Sequence, residues 1–255
     1  MRARITLLLF AILYSFTCLA QTNFEKHFTK KSLRVDFALS GNWDFQAAAI
    51  QQLREEPVWA GPVKNLIDPF GYGGYYINVY DKAGKELIYS RGFNTLFEEW
   101  RSTEQAKTET QSWTNSISIP YPKAPVIIEI TARDKADMQF HPLLKQEIDP
   151  ASIFIDRGKL KENRITKIRY NGDSSGKVDL VFLAEGYTAD EQEKFVADAK
   201  RFTEALFKTP PYDTRREDFN VWAVDAVSEE SGTDVSGKGI FKNTALNSGY
   251  YTFGV

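Results

Sequence analysis

Cysteine occurs once in these 255 residues and histidine twice. A single cysteine, Cys18, cannot close an intramolecular disulfide or build a cysteine-rich metal site. The two histidines are His27 and His141. Phe28 follows the first and Pro142 the second, so neither opens an H-E-x-x-H helix. A catalytic zinc needs about three protein ligands at one point, and this inventory does not supply them. Both histidines read as surface or edge residues. Basic tracts are also missing. The formal net charge is −2, which argues against nucleic acid or an anionic membrane surface as a partner. There is no internal repeat and no low-complexity tract.

Long apolar runs are nearly absent. The exception is Ile5 to Phe16, behind Arg2 and Arg4. It is too short for a membrane span. With a charged flank and the small Ala20 it has the form of a signal peptide. Cleavage is expected after Ala20, which leaves Gln21 first. It removes Cys18, Arg2 and Arg4 and takes the net charge from −2 to −4. A lipid anchor on Cys18 is the rival reading, but Ser15-Phe16-Thr17 fit a lipobox poorly. The expected location is therefore secreted or periplasmic.

Aromatic residues are abundant, and alternation dominates from residue 31 to about 132. Leu33, Val35, Phe37 and Leu39 alternate with Arg34, Asp36 and Ala38, the period of a half-buried strand. YYINVY (75–80) and KELIYS (85–90) flank Asp81-Lys82-Ala83-Gly84 and form a hairpin. Trp113, Ile117 and Ile119 share one face of SWTNSISI (112–119), and VIIEIT (126–131) repeats the pattern. Pro120, Pro122 and Pro125 confine that passage to a loop or a sheet edge. The stretch 44–56 reads as a helix, with Phe45, Ala48, Ala49 and Leu53 on one face and Pro57 at its end. FNTLFEEW (93–100) is ambiguous. Residues 133–164 are polar, apart from SIFI (152–155), and read as a joint.

Beyond the joint come strands ITKIRY (165–170) and VDLVFLA (178–184). The second is almost continuously apolar, as for a strand buried on both faces. Thr188 and Glu191 form a capping box, and Phe195, Ala199, Phe202 and Leu206 line the helix that follows. Pro210-Pro211 ends it. With FNVWAVDAV (219–227) this is a β-α-β unit.

Three motifs invite a catalytic reading. Gly172-Asp173-Ser174-Ser175-Gly176 matches G-x-S-x-G, yet a strand follows where a nucleophile elbow needs a helix, so it reads as a turn. Gly232 to Gly239 is one hydroxyl short of a P-loop and has no helix after it. It reads as a flexible loop with Lys238 exposed. Asp225, Glu229, Glu230 and Asp234 offer oxygen ligands for calcium, but their spacing is not that of an EF-hand, and an acidic loop is usually solvated.

The segments DLVFLAEGYT (179–188), FNVWAVDAVSEESGTD (219–234) and GKGIFKNTAL (237–246) resemble the IgA-peptidase family, secreted bacterial zinc metallopeptidases of the metzincin-like class. SLRVDFALSGN (32–42), the Pro-Val-Trp-Ala-Gly run at 57–61, FNTLFEEWRSTEQAK (93–107) and YPKAPVIIEI (121–130) resemble that family's accessory domain. The resemblance implies an α+β protein of two domains after a signal peptide at 1–20. The first is a β-sandwich accessory domain at 21–157. The second, at 158–255, is the β-α-β opening of an α/β metzincin-like peptidase domain. It also implies hydrolysis of peptide bonds in a protein substrate, immunoglobulin or another host glycoprotein among the candidates. No position matches the family's H-E-x-x-H helix, so its catalytic residues cannot be carried over. The chain ends at YYTFGV (250–255) without a closing element and reads as truncated before the zinc motif. The catalytic residues are expected beyond Val255. Zinc is expected in the full-length protein and none in this chain. By analogy residues 229–246 form a wall of the substrate cleft, with Glu230, Asp234, Asn243 and Thr244 as candidate contacts. The alternative is a glycan- or protein-binding β-sandwich without catalysis, with Trp59, Tyr72, Tyr75 and Tyr76 as a carbohydrate platform.

Overall fold

A computed structural model of the chain describes residues 22–160 and 162–250. The segment read as a signal peptide, with Cys18 and the cut after Ala20, lies outside the described residues. So do the last five, Tyr251 to Val255. The chain divides into two compact units between Gly158 and Lys159. It is mostly β, in several sheets.

In the first unit a short helix α1 (Phe24–His27) leads into β1 (Phe28–Gly41), the strand read from its alternation. Leu33, Val35, Phe37 and Leu39 are fully buried. β1 pairs antiparallel with β2 (Gln46–Glu56) on one side and β5 (Gln111–Pro122) on the other. A two-residue strand, β8 (Ile155–Asp156), pairs parallel with β2 and completes the order β5-β1-β2-β8. The second sheet has the order β4-β3-β6-β7, from β3 (Tyr75–Asp81), β4 (Leu87–Phe93), β6 (Val126–Arg133) and β7 (Phe140–Ile148). Side chains of both sheets meet in one core, where Phe37 and Leu39 join Ile77, Val79, Ile128 and Ile130. Each such side chain contributes about 1.5–3 kcal/mol by leaving water. Pro120 and Pro122 lie in β5, at a sheet edge where a missing N–H is tolerated. The ambiguous aromatic segment holds one helical turn, α2 (Leu96–Trp100). Thr95 Oγ1 caps it by accepting the Glu98 N–H, and Phe97 and Trp100 are buried.

Two expectations are overturned here. Residues 46–56 form a strand. Gly41 lies at φ +151°, where a Cβ would stand 2.0 Å from the Phe45 carbonyl oxygen. The Asn42 side chain then accepts the N–H groups of Asp44 and Phe45 at 3.0 Å each. Together they turn the chain back along β1. A bulge lies where Asp36 pairs with Gln52 and Phe37 with Ile50, so Gln51 is the extra residue. Ala48, Ile50 and Leu53 therefore face the core. Their spacing breaks strict alternation and imitates a helical face. The joint is also shorter than expected, because β7 and β8 occupy much of it. β7 is an edge strand with Pro142 beside a bulge and many exposed polar residues, which hides its strand character. In the SIFI run only Ile155 is buried, while Ile153 and Phe154 are each 87% exposed.

In the second unit β10 (Val178–Leu183), helix α3 (Gln192–Leu206) and β11 (Phe219–Val224) form the expected β-α-β, with β10 and β11 parallel. β9 (Ile165–Arg169) joins the far side of β11 antiparallel, giving the order β10-β11-β9. The Glu191 carboxylate accepts the Thr188 N–H at 3.0 Å, so the capping box is present. The helix buries Phe195 and Ala199 against Ala184 and Ala223. Its buried stripe runs through Gln192, Phe195, Ala199 and Thr203. Phe202, expected in that stripe, falls on its margin and is 50% exposed, under the Arg201 guanidinium. Phe207, just past the helix, is buried instead, 5.6 Å from Phe219. β10 is not buried on both faces. Phe182 and Ala184 pack toward α3, but Val181 and Leu183 point the other way and are each 48% exposed. An apolar run shows that a strand can be covered on both faces, not that both are covered.

Candidate functional site

The side chains singled out in the second unit gather around the turn that follows β10. There the chain passes through Ala184, Glu185 and Gly186. Gly186 has φ +73°, and a Cβ would stand 2.1 Å from the Gly232 carbonyl oxygen. Glycine alone allows that approach, and the Gly232 N–H donates to the Gly186 carbonyl at 2.9 Å. Glu185 accepts four hydrogen bonds from a segment about sixty residues later. They come from Thr244 Oγ1 (2.5 Å), the Leu246 N–H (2.8 Å), the Ser248 N–H (2.9 Å) and Ser248 Oγ (2.8 Å). Burial pushes this carboxyl up, but the donors from Thr244, Ser248 and Leu246 outweigh it and hold the pKa down at about 2. Ser228 Oγ accepts the N–H groups of Gly186 and Ala245, each at 3.0 Å, and ties the same two segments together. Neither Glu185 nor Ser228 was singled out from the sequence. The only signal for Glu185 was a Glu-Gly step at the end of a strand.

The four cleft candidates all lie in this assembly. Glu230 accepts the Asn243 N–H at 2.7 Å and pairs with Lys242 Nζ at 3.3 Å. The Asn243 N–H and then Lys242 draw the Glu230 carboxyl below its ordinary range. The Asn243 side chain donates to Glu229 at 2.6 Å. Asp234 accepts the Lys242 N–H at 2.5 Å. Thr244 is buried against Glu185. Each candidate thus has an internal partner. Asp234–Val235 (β12) and Gly249–Tyr250 (β13) add a short parallel pair that holds the loop's ends side by side. The described residues stop at Tyr250, so the expectation that catalytic residues lie beyond Val255 falls outside them.

Asp225 stands apart from the other acids. It accepts Arg164 Nε at 2.6 Å and is buried. The P-loop-like stretch is an organised turn, with Lys238 exposed and Gly239 left-handed after it. The G-x-S-x-G stretch is a turn between β9 and β10, closed by the Asp173 side chain accepting the Ser175 N–H at 2.9 Å. In the first unit His27 belongs to α1, where burial and then Lys26 lower its pKa. His141 belongs to β7, with Nε2 2.8 Å from Asp137 Oδ2. The proposed aromatic platform does not form as read. Trp59, Tyr75 and Tyr76 are buried, and only Tyr72 is exposed, stacked on Phe70 at 5.7 Å.

The family model described as Peptidase M64 N-terminus matches residues 23–143, and the one described as IgA Peptidase M64 matches residues 166–255. The chain belongs to the IgA peptidase M64 family. No curated protein matches it. The IgA Peptidase M64 match spans the β-α-β unit and the whole Glu185 assembly, and the N-terminal match spans β1 to the middle of β7. A family of metallopeptidases raises the question of a metal. Among the described residues no three His, Cys, Asp or Glu side chains stand together where they could hold one. The carboxylates of Glu185, Glu229, Glu230 and Asp234 are bound to donors of the chain itself. A catalytic zinc therefore does not fit the residues described here. No described helix is long and apolar enough to cross a membrane.

Proposed function

We propose that this chain belongs to a secreted or periplasmic zinc-dependent endopeptidase that hydrolyses peptide bonds in a protein substrate. Immunoglobulin, the class the family's description names, or another host glycoprotein is the substrate in this reading. In this reading residues 21–157 are a β-sandwich accessory domain, and residues 158–255 open an α/β peptidase domain of the metzincin-like class. The signal peptide at 1–20 is removed after Ala20. The observation that carries the reading is the match of the IgA Peptidase M64 model to residues 166–255, over a β-α-β unit followed by a loop fixed through Glu185.

The chain's own residues have a positioning part. Glu185, Ser228 and Gly186 fix residues 228–248 against the end of β10, so that this loop presents a rigid wall of a substrate cleft. Glu230, Asp234, Asn243 and Thr244 hold the wall in shape from within. In this reading the zinc ligands and the general base are supplied by residues other than those described here. The test is to express residues 21–255 beside a longer reading frame that contains them. Zinc content and chelator-sensitive proteolysis are expected in the longer product and in neither respect in the shorter. Stoichiometric zinc with activity in 21–255 would overturn the placement of the ligands. A metal-free, inactive longer product would overturn the metallopeptidase reading.

A further inference from the structure

The turn between β1 and β2 carries Trp43 and Phe45, which are 42% and 59% exposed. Both border a cleft of about 630 Å³ in the first unit, within the ~300–1,000 Å³ of small-molecule sites. The turn is held from several sides. The Trp43 N–H donates to the Ala106 carbonyl at 3.0 Å, and the Arg101 guanidinium donates to the carbonyls of Asn42 and Trp43 at 2.7 and 3.1 Å. The ammonium groups of Lys107 and Lys135 stand 5.1 and 5.2 Å from the centre of the Trp43 ring. Both lysines are exposed, and their flexible stems let them swing aside for a ligand.

The polar groups of this cleft are left incomplete by the chain. The Tyr75 hydroxyl donates to Gln46 Oε1 at 2.9 Å, which fixes the Gln46 amide and leaves its N–H donors available. Glu98, on α2, is half-buried, and its carboxylate has no hydrogen bond or ion pair among the described residues. A Cβ on Gly74 would stand 2.0 Å from Glu98 Oε2, so glycine there makes the room that the carboxylate occupies. A half-buried carboxylate without a donor is costly unless a ligand completes it. Asp44, Glu98 and Asp134 line the cleft together with Arg101, Arg133 and Lys135, so these charges cancel. His141, also in the lining, is paired with Asp137. Both guanidinium groups are engaged by backbone carbonyls, that of Arg133 by Gly71, Gly73 and Met138.

We propose that this cleft binds a neutral hexopyranose. The C–H face of the sugar lies on the exposed Trp43 ring, beside Phe45. Its hydroxyls donate to the Glu98 carboxylate and accept from the Gln46 amide. A charged ligand gains little from a lining whose charges cancel and whose guanidinium groups are already engaged. The site is independent of the peptidase reading.

The test is titration of the full chain, by ligand-observed NMR and calorimetry, with methyl glucoside, methyl galactoside, methyl mannoside, glucuronate, glucosamine and N-acetylalanine amide. At least one methyl glycoside binds in the millimolar range, and neither charged sugar binds more tightly than it does. Trp43→Ala removes the platform, and affinity for that glycoside falls at least about tenfold. The thermal midpoint holds within a few degrees, because Trp43 lies outside the core of the first unit. Glu98→Gln keeps the shape and removes the charge. Affinity falls about fivefold while the thermal midpoint holds or rises, a combination that a purely structural glutamate does not give. Absence of binding by all three methyl glycosides, or unchanged affinity in either variant, overturns the site. Tighter binding of glucuronate or glucosamine than of every methyl glycoside overturns the neutral ligand. Tighter binding of N-acetylalanine amide overturns the sugar and assigns the cleft to a peptide.

Discussion

Glu185 shows how much one side chain can hold in place. Its pKa of about 2 lies below the ordinary 4.5 of a glutamate. The stabilisation it gives is therefore fully present above about pH 4.5 and is lost as the pH falls through about 2. Glu185→Gln keeps one acceptor and loses the charge. It is expected to destabilise the second unit by about 1–2 kcal/mol at pH 7 and to flatten the acid limb of its stability between pH 4.5 and 2. Urea melts followed through Trp222, the single tryptophan after residue 158, measure both. An acid limb as steep in the variant as in the parent would show that Glu185 does not set it. Gly186→Ala meets the Gly232 carbonyl oxygen 2.1 Å away in a left-handed backbone. A loss of about 1–3 kcal/mol is expected, read in the same melts. The sequence led to Glu230, Asp234, Asn243 and Thr244 only through the family resemblance. It could not point to Glu185, whose partners stand 59 to 63 residues away.

Elements whose pattern depends on one regular contact were legible. β1 alternates because each face meets a single environment. The β3–β4 hairpin is set by its short turn, and α3 begins at its capping box. β2 and β7 were not legible, and in both a bulge is the cause. An extra residue puts two inward positions three apart, and the period of two dissolves locally. In β2 the effect was stronger because alanine, glutamine, leucine and glutamate favour helices. Pairing with β1 over ten positions overrides that preference. Deleting Gln51 therefore forces a choice between a flat ladder and the present inward set of Ala48, Ile50 and Leu53. A one-residue slip turns a strand inside out. The deletion is expected to cost at least about 3 kcal/mol and to abolish the cooperative melt of the first unit. A deletion variant that melts like its parent would mean that the bulge does not set the register.

At the scale of the chain, the sequence changes from long alternating strands to a β-α-β pattern, and the chain divides into two compact units between Gly158 and Lys159. The first unit has a core drawn wholly from its own residues, Phe24 to Ile155. Residues 22–158 are thus expected to fold without the rest and to keep the thermal midpoint of that unit within a few degrees, about the shift of 1 kcal/mol, by circular dichroism. The core of the second unit is smaller, built around Ala184, Phe195, Ala199 and Ala223, and leaves Val181 and Leu183 half exposed. The shape of residues 228–248 was not legible, since it rests largely on backbone N–H groups that every residue except proline carries.

Four hydrogen bonds to Glu185 join parts of the chain that lie some sixty residues apart. They restrict a loop of some sixty residues, as a covalent bridge across the same span would. One cysteine cannot make that bridge. The clasp used instead ignores reductants and oxidants and responds to protons, so a strongly acidic medium loosens it and neutralisation draws it shut again.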